Sequence, residues 1–219
     1  MSLFLNLHTH QTKQAPGVVA IQSISLSEST FLAMPKTKPI SIGIHPWYGK
    51  LAELPTYMKY LTVLAKQDNV KLIGECGLDK RIEIPLEMQI LVFKKQLEIV
   101  KQMNKPIVLH CVAAFDEVIA IKKELKITNP MIIHGFSKNE QVAKSLLKND
   151  FYLSFGKYLL RNPDLEKVFK FAPENQILLE TDTIEESIYQ VYEKAAAIKG
   201  ISVDKMKAIV FTNFSRIFS

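Results

Sequence analysis

Leu5-Asn6-Leu7-His8-Thr9-His10 is an apolar run that ends in two histidines separated by one residue. Side chains on a β-strand alternate between faces with a period of two, so His8 and His10 point to the same side. Two imidazoles on one face at a strand end are suited to bind a divalent metal ion. Taken alone, the stretch fits a pair of surface histidines equally well, so the rest of the chain decides between these interpretations.

Short apolar runs recur along the chain and mostly alternate with helical patterns. They predict eight strands, near 5–7, 18–21, 39–44, 70–74, 106–109, 131–133, 151–156 and 177–181. Continuous apolar runs are typical of strands buried on both faces, and hence of a parallel sheet. We therefore predict an α/β protein with a single (β/α)8 TIM-barrel domain over residues 1–219. The connection at 11–17 is too short for a helix, so the barrel is expected to be slightly irregular there, and an open doubly wound sheet is the structural alternative.

Side chains that can bind metal follow the predicted strands. In addition to His8 and His10 these are Glu75, His110, His134 and Asp182, and His45 follows the third strand. The carboxyl ends of barrel strands converge on the active-site face, so we expect the first six of these residues to meet there. Six nitrogen and oxygen ligands can hold one or two divalent ions such as Mg, Mn or Zn, and two ions require a bridging carboxylate.

Composition narrows the class of protein. The chain has 219 residues and lacks an apolar run near the length of a transmembrane helix, so we expect no membrane association. The first ten residues lack the pattern of a secretory signal peptide, and only two cysteines are present, which favours the reducing cytoplasm. Cys76 and Cys111 are interpreted as packing residues. A net charge of +6 weakly favours anionic partners.

Six motifs together resemble the TatD family of metal-dependent hydrolases, within the amidohydrolase-like barrels. They are His8-Thr9-His10, Gly43-Ile44-His45-Pro46, Gly74-Glu75-Cys76-Gly77-Leu78-Asp79, Pro106-Ile107-Val108-Leu109-His110, His134-Gly135-Phe136 and Leu179-Glu180-Thr181-Asp182. The stretch from Gln89 through Phe93 to Gln96 resembles the family's helix after the fourth strand, and the chain's ending also resembles the family's C-terminus. The resemblance thus spans essentially the whole chain.

The resemblance implies a role for each candidate residue. His8 and His10 would bind one metal ion, His110 and His134 would bind a second, and Glu75 would bridge the two. Asp182 would act both as a ligand and as the base that takes a proton from the attacking water, and His45 would contact the substrate.

Further residues near the strand ends are candidates for substrate binding. Trp47, with Tyr48, could stack a nucleobase, although packing at the edge of a loop fits equally well. Lys80 and Arg81, with Lys138, Lys157 and Arg161, could form a rim that attracts phosphate. Asp79 is interpreted as a residue that orients a ligand or fixes a loop.

Three hypotheses for function remain open at this point. The first, implied by the resemblance, is a metal-dependent phosphodiesterase, a 3′-5′ exonuclease that acts on single-stranded DNA without an obligatory protein partner. The second is a hydrolase of ester or carbon–nitrogen bonds, such as a D-aminoacyl-tRNA deacylase, because activated water attacks carbonyl and phosphoryl centres alike. The third is a non-catalytic metal-binding barrel, against which the complete set of ligands argues.

Overall fold

A computed structural model describes residues 3–48 and 51–219, without the side chains of residues 28 and 51. The strands of these residues form one eight-stranded sheet whose order follows the chain. They are β1 (Phe4–Thr9), β2 (Val18–Ser25), β3 (Ile40–Gly43), β4 (Val70–Asp79), β5 (Ile107–Val112), β6 (Met131–Ile133), β7 (Phe151–Phe155) and β8 (Ile177–Leu179). The pairs β1–β2, β3–β4, β4–β5 and β7–β8 are parallel. A parallel bridge between Thr9 and Asp182 joins the end of β1 to the segment that follows β8, and the eight strands confirm the predicted (β/α)8 barrel.

Helices occupy most connections between the strands. They are α1 (Glu28–Leu32), α2 (Leu54–Leu64), α3 (Leu86–Val100), α4 (Phe115–Glu124), α5 (Glu140–Lys148), α6 (Lys157–Arg161), α7 (Asp164–Phe171), α8 (Ile188–Lys199) and α9 (Val203–Ile217). Residues 10–17, which join β1 to β2, contain no helix, as the short connection predicts. None of the helices in the described ranges has the length and apolar character needed to cross a membrane.

The chain divides into two compact units. The first unit contains residues up to Gln22 together with Ile132–Ser219, and the second contains Ser23–Met131. In the first unit, Tyr192 of α8 is fully buried and binds both backbone groups of Leu5 through its hydroxyl, which anchors β1. In the second unit, Phe93 of α3 is fully buried. The prediction of a single domain stays a prediction.

β4 is longer than its apolar run predicts, and this changes where two site residues lie. Glu75 and His110 are inside β4 and β5, whereas the apolar runs predict that they follow those strands. β4 continues because Cys76–Asp79 pair with Leu109–Val112 of β5. Gly77 permits this close pairing, since a Cβ at its position, where φ is +135°, would lie 2.2 Å from the carbonyl oxygen of His110.

The start of α5 also corrects a prediction from the sequence. The sequence predicts a helix over residues 139–148, with Ser137 and Glu140 at the spacing of a capping box. The helix instead begins at Glu140, and Asn139 caps it by accepting a hydrogen bond from the Val142 amide at 3.1 Å. Asn is as strong an N-cap residue as Ser, so the nearer residue takes the position.

Candidate functional site

His8, His10 and Asp182 form a first ligand group within the first unit. The Nε2 atoms of His8 and His10 lie 3.8 Å and 3.7 Å from Asp182 Oδ1, and one ligand atom from each of the three residues lies within 4.8 Å of the others. Two ligands of one tetrahedral zinc ion lie about 3.4 Å apart when the bonds are 2.0–2.2 Å long. The separations in this group are close to that value, so these three residues fit one metal ion.

The backbone around Asp182 holds this first ligand group together. The Asp182 amide donates to the His8 carbonyl oxygen at 3.0 Å, and the His10 amide donates to the Asp182 carbonyl oxygen at 3.0 Å. Asp182 adopts a φ of +54°, a left-handed conformation that costs free energy for a residue with a side chain. Such strain persists only where surrounding contacts fix it, and functional sites are common places for it.

Asn6 strengthens the same link between β1 and the end of β8. Its amide nitrogen donates to Thr181 Oγ1 at 2.8 Å, and its Oδ1 accepts from the Thr181 backbone amide at 3.1 Å. Both residues are buried. A buried pair that satisfies its own polar groups fixes the register of the two segments, and this register brings Asp182 beside His8 and His10.

His134 and Glu180 lie next to the first ligand group in the same unit. The His134 ring is 4.4 Å from the His8 ring, and its Nδ1 is 3.4 Å from Glu180 Oε1. The same carboxylate oxygen accepts a hydrogen bond from the Gly135 amide at 2.8 Å. Because an ionised carboxylate only accepts, the contact favours a proton on Nδ1 and leaves the free lone pair of the His134 ring on Nε2, the nitrogen that would then be able to bind a metal ion.

Glu180 is fully buried, and its charge is set by two opposing effects. Burial raises the pKa of its carboxyl group, but the hydrogen bond with His134 and the nearby His8 outweigh burial, so the pKa lies below its usual range. Glu180 is not among the ligands predicted from the sequence. A signal was present, because Glu180 and Asp182 are two residues apart and a carboxylate directly follows the buried run of β8.

His45, Glu75 and His110 form a second ligand group within the second unit. Glu75 Oε1 lies 3.1 Å from His45 Nε2 and 2.9 Å from His110 Nδ1, and one ligand atom from each residue lies within 4.8 Å of the others. The Glu75 side chain is almost fully buried. Imidazole and carboxylate ligands at these separations suit Zn, Mn or Fe, so this group too fits a divalent ion.

Asp79 reaches the second ligand group from the end of β4. Its Oδ2 accepts from the Trp47 indole at 2.8 Å and lies 3.2 Å from His110 Nε2, while its Oδ1 accepts from the Arg81 amide at 2.9 Å. Burial raises the pKa of the Asp79 carboxyl group, but these hydrogen bonds outweigh burial and lower it. His110 is thus held between two carboxylates, those of Glu75 and Asp79.

The two carboxylate contacts of His110 favour a bound cation beside its ring. A neutral imidazole has one N–H and can donate to only one carboxylate. If Nε2 donates to Asp79, then Nδ1 carries a lone pair that faces the Glu75 oxygen. A cation between these two atoms would satisfy both, as in the carboxylate–histidine–metal arrangements of known sites.

Two buried glutamines of α3 hold the backbone around the second ligand group. Gln96 accepts from the Ile44 amide at 2.7 Å and donates to the Ile44 carbonyl oxygen at 3.1 Å, directly before His45. Gln89 makes the same pair of bonds with the Asp79 backbone, at 2.8 Å and 2.9 Å. Neither glutamine is among the site residues predicted from the sequence, although a polar residue on the buried face of an amphipathic helix indicates a specific hydrogen-bond partner.

Several of the predicted substrate contacts are occupied by other interactions. Lys80 forms an ion pair with Glu117 of α4 at 2.5 Å, and Arg161 forms one with Glu186 at 2.6 Å. Arg81 is exposed, and its backbone binds Asp79. Trp47 and Tyr48 are also exposed, next to the His45 ring. The aromatic pair is therefore better placed to contact a ligand than Lys80 is.

Comparison with known proteins gives matches over nearly the whole chain. The family model described as TatD related DNase matches residues 11–219. An uncharacterized metal-dependent hydrolase of Escherichia coli, YcfH, is 29% identical over 81% of this chain and 72% of its own length. A protein of Erwinia billingiae named 3′-5′ ssDNA/RNA exonuclease TatD is 30% identical over 64% of this chain and 55% of its own length.

One solved structure shows the same fold. The crystal structure of YJJV, a TatD homolog from Escherichia coli, superposes with a TM-score of 0.84 at 19% identity and covers 98% of this chain and 97% of that one. At 19% identity this similarity shows the fold alone, and that fold is the barrel predicted from the sequence.

Proposed function

This chain belongs to the family of TatD-related deoxyribonucleases, which are metal-dependent hydrolases, and we propose that it removes nucleotides from the 3′ end of single-stranded DNA. The observation that carries this proposal is the presence of two compact His/carboxylate groups, each suited to a divalent ion. Their imidazole nitrogens and carboxylate oxygens can bind the divalent ions that activate water for phosphodiester hydrolysis.

Each group has a proposed role in metal binding. His8, His10 and Asp182 hold one ion, and Glu75 with His110 holds a second. His45 lies within the second ligand group but does not bind the ion in this proposal: its Nδ1 accepts from the Trp47 amide, so its Nε2 donates to Glu75, and the ring contacts the substrate. Divalent ions such as Mg, Mn or Zn at these positions would polarise the phosphoryl oxygen and lower the pKa of a water molecule. The bridging role of Glu75 and the ligand role of His134 stay predictions from the resemblance.

Asp182 serves as the general base in this proposal. Its carboxylate lies 3.7 to 3.8 Å from the two histidines of its group, and its strained backbone is fixed by hydrogen bonds to residues 8 and 10. The carboxylate accepts the proton of the attacking water as the bond from the water oxygen to the scissile phosphorus forms, and the bond from phosphorus to the leaving 3′ oxygen of the preceding nucleotide breaks, which leaves a 3′ hydroxyl on the shortened strand. Proton transfer by a positioned side chain of this kind typically contributes 10²–10⁴-fold to a rate.

Three observations support single-stranded DNA as the substrate. Trp47 and Tyr48 are 51% and 57% exposed beside His45, so each can stack with an unpaired base. The chain carries a net charge of +6, which favours a polyanion. The relative from Erwinia billingiae is named as a 3′-5′ exonuclease for single-stranded DNA and RNA.

A comparison of linear and circular strands tests the proposed function. The protein is stripped with a chelator, reloaded with Mg, Mn or Zn, and given single-stranded DNA of one sequence in linear and circular form. We expect the linear strand to be shortened from its 3′ end and the circle to stay intact, because an exonuclease needs a free end. Equal cleavage of circles would contradict end recognition, and cleavage of aminoacyl or simple esters without any cleavage of DNA would favour the ester hydrolase.

A further inference from the structure

A cavity of about 450 Å³ in the second unit is not used by the hydrolytic chemistry. Its lining includes Leu26, Trp47, Tyr48, Glu53, Tyr57 and Ile84. Its volume lies within the range of 300–1,000 Å³ that is typical of sites for small ligands. Aromatic and apolar walls with a few polar groups are also typical of such sites, so the cavity has the character of a binding pocket.

Hydrogen bonds hold the indole ring of Trp47 and the backbone of Tyr48 in the wall of the cavity. The Trp47 indole donates a hydrogen bond to Asp79 at 2.8 Å, and the backbone amide of Tyr48 donates to the His45 carbonyl oxygen at 3.0 Å. A ring that is already fixed loses little conformational entropy when a ligand stacks on it. Every nucleobase has a π-face, so this wall can bind any base but cannot by itself distinguish one base from another.

The cavity adjoins the second ligand group. The His45 ring centroid lies 5.1 Å from Trp47 and 5.5 Å from Tyr48, and 4.5 Å from the ring of His110. A nucleotide whose phosphate binds a metal ion held by Glu75 and His110 would therefore bring its base, or the next one, to the cavity. This step rests on the proposed function.

Glu53 is the acidic residue that lines the cavity, and Tyr57 Oη donates a hydrogen bond to its Oε2. An ionised carboxylate only accepts hydrogen bonds, and its two oxygens can accept two parallel donors at once. Among unpaired bases, guanine presents two adjacent donors, N1–H and the N2 amino group. Adenine and cytosine present one donor beside an acceptor, and thymine presents one donor between two carbonyl groups.

We propose that this cavity is a guanine-selective subsite for a nucleotide that flanks the scissile phosphate. Trp47 stacks on the base, Tyr48, whose ring is tilted 76° from the indole, packs against the edge of the base, and Glu53 accepts hydrogen bonds from its N1–H and N2 amino groups. Leu26 and Ile84 provide apolar surface for the base. A bidentate contact of this kind discriminates between bases by roughly tenfold or more.

A binding experiment tests the subsite without any need for catalysis. Trp47 is the single tryptophan of the chain, so its fluorescence, excited near the red edge of its absorption, reports on this cavity directly. The metal-loaded protein is titrated with dGMP, dAMP, dCMP, dTMP and deoxyinosine monophosphate. We expect dGMP to quench Trp47 with an affinity roughly tenfold higher than dTMP, and deoxyinosine, which lacks the N2 amino group, to bind more weakly than dGMP.

Glu53→Gln separates base selectivity from general binding, because an amide presents one acceptor and one donor group in place of two acceptors. We expect the ratio of dGMP to dTMP affinity to fall towards one in this variant. Glu98→Gln makes the same change at an exposed position of α3 and should keep the wild-type ratio. An unchanged ratio in Glu53→Gln, or equal quenching by all five nucleotides, overturns the proposal.

A cleavage experiment distinguishes failure of this subsite from failure of the proposed function. Single strands that differ only in their last two bases are digested by wild-type protein, and we expect strands ending in guanines to be shortened several-fold faster than those ending in thymines. Cleavage without base preference overturns the subsite and leaves the exonuclease intact. Selective binding of dGMP with no cleavage of any strand supports the subsite and overturns the exonuclease.

Discussion

Asp182 carries the most demanding role at the scale of single residues, since it is proposed both to bind metal and to accept a proton. Asp182→Asn keeps the shape of the side chain and an oxygen ligand but removes most of its basicity. We expect turnover to fall by a factor of 10² or more, in keeping with the loss of a general base. The measurement is the rate of release of nucleotides from a linear single strand at saturating Mn.

Asp68→Asn is the matched control, because Asp68 lies on an exposed loop of the second unit. It should keep wild-type turnover, and circular dichroism should show the same fold for both variants. Near-normal activity of Asp182→Asn with metal bound would rule out Asp182 as the base.

In our interpretation Glu180 does not bind the metal ion itself. It orients His134, a predicted ligand, through the contact with its Nδ1 atom. Partners of this kind typically change metal affinity by 10–100-fold when they are removed. We therefore expect Glu180→Gln to bind Mn more weakly by about tenfold or more, as measured by calorimetric titration of the chelator-treated protein. Glu174→Gln, on an exposed turn before β8, should bind Mn with wild-type affinity. Unchanged affinity of Glu180→Gln would reduce Glu180 to a packing role.

At the scale of elements, α3 fixes the backbone at the end of β3 in addition to covering the sheet. Its buried Gln96 binds both the amide and the carbonyl group of Ile44, next to His45. Gln96→Leu would keep the size of the side chain and leave that amide and carbonyl without these bonds. Each buried polar group that loses its partner costs about 1–3 kcal/mol, so we expect the loss of both bonds to lower the free energy of unfolding by about 2–6 kcal/mol. Urea denaturation measures the change.

The control for this element is Gln141→Leu, the same substitution on the exposed face of α5. Substitutions at surface positions usually change stability by less than about 0.5 kcal/mol. If Gln96→Leu is no less stable than Gln141→Leu, the glutamine bonds do not hold the end of β3.

At the scale of the whole molecule, metal binding should stabilise the fold, because the ligands of each group come from different elements. A ligand at 100 times its Kd adds about 2.7 kcal/mol to the stability of the protein that binds it. For a chain of this size, 1 kcal/mol corresponds to about 2–4 °C in Tm, so we expect Mn to raise the Tm by about 5–10 °C. Calorimetric scans with Mn and with a chelator measure the difference.

His10→Ala provides the comparison for this prediction, since His10 is exposed and its loss should leave the fold intact. The variant keeps the second ligand group but loses one ligand of the first. We expect a smaller rise in Tm on addition of Mn than in the wild type. An equal rise in both proteins would show that His10 is not a ligand.

The sequence by itself determined the architecture and the identity of the candidate ligands. Period-two alternation placed His8 and His10 on one side of β1, and eight buried apolar runs required a parallel sheet whose carboxyl ends carry the site. These features are local, because each depends on residues a few positions apart. The correct prediction that residues 11–17 hold no helix is of the same kind, since a short connection has no room for one.

Only the tertiary structure decided which side chains bind one another. Glu180 with His134, and Asp79 with both Trp47 and His110, are pairs distant in sequence, and alternation gives the side of a strand but not the neighbour across it. The same reason applies to Lys80, whose position after β4 suggested a phosphate contact but whose ammonium group is paired with Glu117 of α4. Periodicity is a property of one segment, whereas a hydrogen bond or ion pair depends on where two segments meet in the folded chain.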